Sequence, residues 1–277
     1  MNTQTITFNS DTTEILTLQS EYTKIVDEKG RYYGGDQRWF RGMPYYGIIS
    51  PSGCGVIAMC DICLYISGQS SRNRSPLTDD FKNGQIGAQE YIEYVKSFND
   101  LYINLHHRMD PIGRRFQMNN LDGKTGKIMT TYFKSNMIPL KVKAHSMRDV
   151  KDLGGGPITE LESYKEICGS IRNDLPVIIG ISPSSKENAI PMYVKKRNQL
   201  VFGFKTSTQN HYVTVTGVFT DRSGAPETSV MYQVSSWGKE YYINAADLHH
   251  HLTCGQGLLG KLVCKFGNNL TVIDPRG

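Results

Sequence analysis

From residue 53 the chain turns apolar, and Val56, Ile57, Cys60 and Leu64 recur at helical spacing up to a stop near Gly68. A loop rich in Pro, Ser and Gly, Ser50-Pro51-Ser52-Gly53, runs directly into that stretch. The pattern predicts a buried helix whose exposed start carries Cys54. A polar connection over residues 70–83, containing Pro76, separates it from an amphipathic helical period over 87–101. A second connection, about 110–126, leads to a predicted helix over 127–137. Residues 138–143 then alternate like a strand, and 158–172 read as helix after the break at Gly154, Gly155 and Gly156.

Beyond residue 173 the pattern changes. Short apolar or alternating runs at 176–181, 199–204, 211–219, 230–234 and 241–243 are divided by Asn, Asp, Gly and Ser turns, as expected of an antiparallel sheet. Tyr, Thr and Val enrich this half, in keeping with strand propensity. A helical lobe followed by a strand-rich lobe predicts an α+β architecture. Residues 1–41, with a Gly34-Gly35 break, read as an irregular or strand-containing arm. The expected organisation is this arm and then one bilobed unit over 42–277, helical to about 172 and strand-rich from about 173.

Charge excludes more than it suggests. The 31 Lys and Arg against 26 Asp and Glu leave a formal +5, spread along the chain, which does not indicate nucleic-acid binding. The short clusters at Arg72 and Arg74, Arg114-Arg115 and Lys195-Lys196-Arg197 read as solvated loops. No apolar run approaches the roughly 20 residues that span a bilayer, and the first ten residues lack the regions of a signal peptide, so a cytoplasmic location is expected. Six cysteines are too sparse for a disulfide scaffold, and reduced thiols are the expectation. Cys60 and Cys63 have the spacing of a redox or metal pair, yet no matching second pair follows and both suit a buried helix face. No internal repeat is evident.

The candidate chemistry begins with Cys54. A helix start leaves N–H groups unpaired and carries partial positive charge, which favours a thiolate and can stabilise an oxyanion. A base is then needed. His211 opens a strand in which Val213 and Val215 share its face, and a strand end holds an imidazole rigidly while leaving it open to a cleft. The next strand ends in Ser235-Ser236-Trp237-Gly238, so pairing of adjacent antiparallel strands is expected to bring Ser235 or Ser236 near His211.

Ser-Gly-Cys-Gly at 52–55, Asn-His-Tyr-Val at 210–213 and Ser-Ser-Trp-Gly at 235–238 occur in the order of a papain-like cysteine peptidase. With the strand at 176–181, the chain resembles more closely the bacterial group related to bacteriocin-leader-processing peptidase domains, over about residues 42–248. The resemblance implies a papain-like fold, with the nucleophile at a helix N-terminus packed on an antiparallel lobe. It implies that Cys54 attacks a carbonyl of a peptide or protein substrate, that His211 moves the proton, and that water hydrolyses the acyl-enzyme, with no cofactor or metal. The family's orienting Asn maps onto Ser235, a hydroxyl that can accept from an imidazole N–H but carries no charge. The family's oxyanion Gln maps onto Ile48, leaving Ser50, Ser52 or Gln37 as other possible donors beside the Cys54 N–H. A binding protein on the same fold that has lost activity is the alternative. Trp237 reads either as a cover over the imidazole's hydrogen bond or as a core residue.

Other clusters carry less. His249, His250 and His251 are consecutive and so diverge, with no carboxylate or cysteine at a zinc-site spacing. His106 and His107 read as surface or helix-end residues. Glycines 154–156 lack the Gly-Lys-Ser/Thr that a phosphate loop needs.

Overall fold

The computed structural model describes residues 5–7, 11–17, 22–79, 81, 85–104, 124–146, 160–181, 189–196, 201–208, 210–221, 229–253 and 269–275. Its elements in chain order begin with β1 (Thr5–Thr7), β2 (Asp11–Ile15), β3 (Lys24–Asp27) and β4 (Gly30–Tyr33), followed by a 3₁₀ turn, Gln37–Phe40. Next come α1 (Ile49–Ser52), α2 (Cys54–Gln69), β5 (Gln85–Gly87), α3 (Ala88–Phe98), α4 (Thr125–Ser135), β6 (Lys141–Ser146) and α5 (Glu160–Arg172). The chain closes with β7 (Val177–Ile181), β8 (Ile190–Lys195), β9 (Val201–Thr208), β10 (His211–Asp221), β11 (Val230–Ser236), β12 (Lys239–Asn244), α6 (Ala245–Thr253) and β13 (Asn269–Asp274). The fold is α+β with a large antiparallel sheet and six helices among the described residues.

By contact the chain divides into two compact units, and the division does not follow a single cut in sequence. The sheet unit comprises residues 1–19, 143–235 and 240–273, and the helical unit comprises 20–142, 236–239 and 274–277. The expected amino-terminal arm is therefore shared between units. The predicted helix over 158–172, observed as α5, belongs with the sheet rather than with the helical lobe. The reason is packing, since α5 lies against β2, β7 and β10.

In the sheet unit ten strands form one sheet, ordered β1-β9-β8-β12-β11-β10-β7-β13-β6, with β2 also paired to β10. β10 is its hub. On one edge β7 pairs with its first half, His211 to Val215, and β2 takes over from Gly217 to Asp221; on the other edge runs β11. Ten of the eleven β10 residues are buried, which explains why His211-Tyr-Val-Thr-Val-Thr reads as a nearly continuous run of β-branched and aromatic residues. The strand β8 is not among those the residue pattern predicts, and it carries a proline, which cannot donate to a ladder. Observed β8 tolerates Pro191 opposite Ser207, next to an irregularity at Met192/Tyr193.

The helical unit is built around α2, thirteen of whose sixteen residues are buried. A helix that is apolar all round has to be enclosed on all sides, and α2 contacts α1, α3 and α4. A small sheet, ordered β4-β3-β5, adds an antiparallel pair and a parallel pair beside it. The predicted helices over 87–101 and 127–137 are α3 and α4. A π-helical turn, Asn99–Ile103, extends the first. Among the described residues no helix is long and apolar enough to cross a membrane.

Candidate functional site

Cys54 belongs to the helical unit and is the first residue of α2, with a half-buried thiol. The turn that delivers it is tight. Gly53 donates its N–H to Ile49 O at 2.8 Å, and Ile57 N–H returns to Gly53 O at 2.9 Å, so α1 and α2 almost run together. A side chain at residue 53 would bring its Cβ to 2.4 Å from Ile49 Cγ2 and 2.6 Å from Ile49 O, which only glycine avoids. Deeper in α2, burial pushes the Cys60 and Cys63 thiols well up from their ordinary range. Cys63 Sγ lies 3.9 Å from Met129 Sδ. Both are core residues.

Gln37 brings a side-chain amide to this turn. Its Nε2 donates to Ser50 O at 2.7 Å, four residues before Cys54, which ties the 3₁₀ turn to α1. Ile48, where the resemblance expects a glutamine, is a core side chain only 4% exposed.

The segment bearing Gln37 is anchored by a residue that sequence reasoning passed over. Asp61 lies on α2 seven residues after Cys54, so the two share a helix face. Its carboxylate, 1% exposed, accepts from Tyr91 Oη at 2.6 Å and from Gly35 N–H at 3.0 and 3.1 Å. Burial pushes this carboxyl up to about 7, against the opposing pull of the Tyr91 and Gly35 hydrogen bonds. The available signal was a lone acid inside an otherwise apolar helix, which has to be hydrogen-bonded to be tolerated.

Gly35 also holds the Ser-Ser-Trp-Gly segment. Its carbonyl accepts Gly238 N–H at 2.9 Å, and Gly238 O accepts Tyr33 N–H at 3.0 Å. Trp237 and Gly238 form the two-residue connection between β11 and β12, with φ of 50° and 70°. Two consecutive positive φ values make this a type I′ hairpin turn. Trp237 is thus a partly exposed turn residue, not a core one. The Arg38 guanidinium, paired with the buried Asp36 carboxylate, also reaches Trp237 O at 3.4 Å.

His211 belongs to the sheet unit. It is buried, 6% exposed, and stands opposite Ile181 of β7 at the start of β10, just after Asn210 with φ 50°. His211, Val213 and Val215 leave β10 on one face, and Tyr212 and Thr214 on the other. The register pairs Thr214 with Ser235, so Ser235 shares the face of Thr214 and not that of His211. Val234, opposite Val215, lies on the His211 face, and alternation puts Ser236 on the same side of β11 as Val234. The two serines are therefore not equivalent.

Among the described residues no group of three or more His, Cys, Asp or Glu is set to hold a metal ion. On α6, His250 is exposed and His251 buried, as helical spacing requires of consecutive residues. Arg74 is more than a solvated loop residue, because its Nε donates to Ser67 O at 3.2 Å and caps the end of α2. His106, His107, Arg114, Arg115, Arg197 and glycines 154–156 lie outside the described residues.

In comparisons with known proteins, no family model and no curated sequence matches the chain.

Proposed function

We propose that the protein is a cysteine hydrolase of papain-like type, cleaving a peptide or other amide bond through an acyl-enzyme on Cys54 with His211 as general base and acid. The observation that carries the reading is the contrast among thiols. Cys54 alone of the described cysteines is half-buried at a helix start, behind a turn that demands glycine, while Cys60, Cys63 and Cys168 are interior. Helix-start N–H groups favour the thiolate and supply one oxyanion donor, and the Gln37 amide, held at the same turn, is the best candidate for a second. For orientation of the imidazole, Ser236 is preferred to Ser235 because of the face each takes on β11.

Two observations favour a non-catalytic binding protein instead: the apolar, buried Ile48 and the placement of Ser235 away from the His211 face. One experiment decides. Alkylation of each cysteine by iodoacetamide is followed by peptide mass mapping from pH 5 to 9, in wild type and His211→Ala. The hydrolase requires fast labelling of Cys54 below pH 7 that slows in His211→Ala. Labelling of Cys54 at the rate and pH of an ordinary thiol in both proteins sinks the activated pair.

A further inference from the structure

The sheet unit contains a cavity of about 330 Å³ whose floor is one face of the sheet. Ile179 pairs with Val213 and Leu270 with Ile179, while Tyr232 and Val230 alternate with Val234 along β11. All four floor residues therefore leave the sheet on one side. The walls come from α5, through the buried Ile167, and from α6, through the buried Leu248. Where α6 begins, Ala245 and Ala246 line the space with side chains no larger than a methyl group.

Protein interiors are close-packed, and voids much larger than a water molecule are few. A space of this size is at the lower end of small-molecule sites, roughly 300–1,000 Å³. Its surface also departs from an ordinary core seam, since Leu161 in the first turn of α5 borders it with 60% of its surface exposed. An apolar residue left open beside an apolar cavity is surface that an occupant would cover. The lining residues with polar side chains are Ser163, Tyr164, Ser229, Tyr232 and His249. No carboxylate, ammonium or guanidinium lines it, so a charged occupant would give up hydration with no counter-charge in return.

We propose that this cavity binds a neutral, mainly aliphatic small molecule whose single hydroxyl or carbonyl end hydrogen-bonds with the hydroxyls of the wall. His211 is not among the wall residues, so the site stands independently of the hydrolase reading.

The test is a fluorescence titration of the full chain with neutral N-phenyl-1-naphthylamine, followed by displacement with 1-decanol, decanoate and decylammonium. Expected are saturable one-site binding and displacement by decanol at a concentration about ten-fold lower than either charged chain requires, equivalent to about 1.4 kcal/mol. Ala246→Phe, which fills the space, weakens probe binding about ten-fold or more. Leu161→Gln changes only an exposed side chain and keeps the test valid if Ala246→Phe does not fold; it weakens binding about three-fold. Absence of saturable binding, unchanged binding in the Leu161 variant, or preferential displacement by a charged chain overturns the proposal.

Discussion

Tyr91 on α3 donates its hydroxyl to Asp61 on α2 across 2.6 Å, inside a core where neither side chain is more than 1% exposed. The same carboxylate holds Gly35, and the Gly35 carbonyl holds the Trp237-Gly238 turn. One buried acid thus ties the helix that begins at Cys54 to the segment carrying Gln37 and to the tip of the β11–β12 hairpin.

Asp61 makes stability depend on pH. Its folded pKa, about 7, lies above the ordinary carboxylate value of 3.8, so the native state retains a proton that the unfolded chain releases. The contribution is fully present below about pH 4 and is lost as pH rises toward 7, at no more than about 1.4 kcal/mol per pH unit. Asp61→Asn keeps an oxygen that both donors reach and removes the titration. Urea unfolding at pH 5, 6, 7 and 8 should show wild type losing stability relative to the variant as pH rises; parallel curves would count against the raised pKa.

Gly53→Ala should be costly although the added group is one methyl. The new Cβ meets Ile49 backbone and side chain at 2.6 Å or less, and backbone cannot yield as a flexible side chain does. A loss on the order of 1–3 kcal/mol is expected, accompanied by altered alkylation of Cys54 as the turn opens. Unfolding and alkylation measured on the same preparation check both effects. An unchanged unfolding midpoint would show that the α1–α2 turn relaxes freely.

Trp237 holds a left-handed conformation that costs a non-glycine residue roughly 1–2 kcal/mol, and Asn followed by Gly suits a type I′ turn better. Trp237→Asn should raise the melting temperature by about 2–4 °C. A lower melting temperature would mean that the contacts of the indole outweigh the backbone strain.

Cys60 and Cys63 should resist alkylation in the native protein, because burial raises both thiols well above their ordinary range. In denaturant both should label at the rate of a free thiol, while Cys54 labels in either state. Comparable native labelling at residues 60 and 63 would show that α2 opens readily.

Much of the local structure was legible. The amphipathic period announced α3, α4 and α5, each of which buries one face, whereas α2, β7 and β10, buried nearly all round, showed as continuous apolar or β-branched runs. β9, β11 and β12 were announced by β-branched and aromatic residues between turn signals. The strand over 138–143 is displaced to Lys141–Ser146, behind Met137 at φ 53°. β8, which carries Pro191, was not anticipated. α6 and β13 were not anticipated either, since the run of polar histidines in α6 and the Asn, Thr and Asp of β13 dilute the apolar pattern. Within the candidate site, Cys54 at a helix start was readable and the tie between Gln37 and Ser50 was not, since a side-chain amide reaching a carbonyl thirteen residues away leaves no period behind it.

Taken alone, the order of residues determined the α+β class, the buried helix behind Cys54 and the strand that begins at His211, because propensity and hydrophobic period act between neighbours in the chain. Which serine of β11 shares the face of His211, which units the amino-terminal residues join, and what a lone buried Asp61 holds were decided only by tertiary structure. Cross-strand register and hydrogen bonds between distant segments are set by the mutual fit of whole elements, and a shift of one residue in that fit moves a side chain to the opposite face of the sheet.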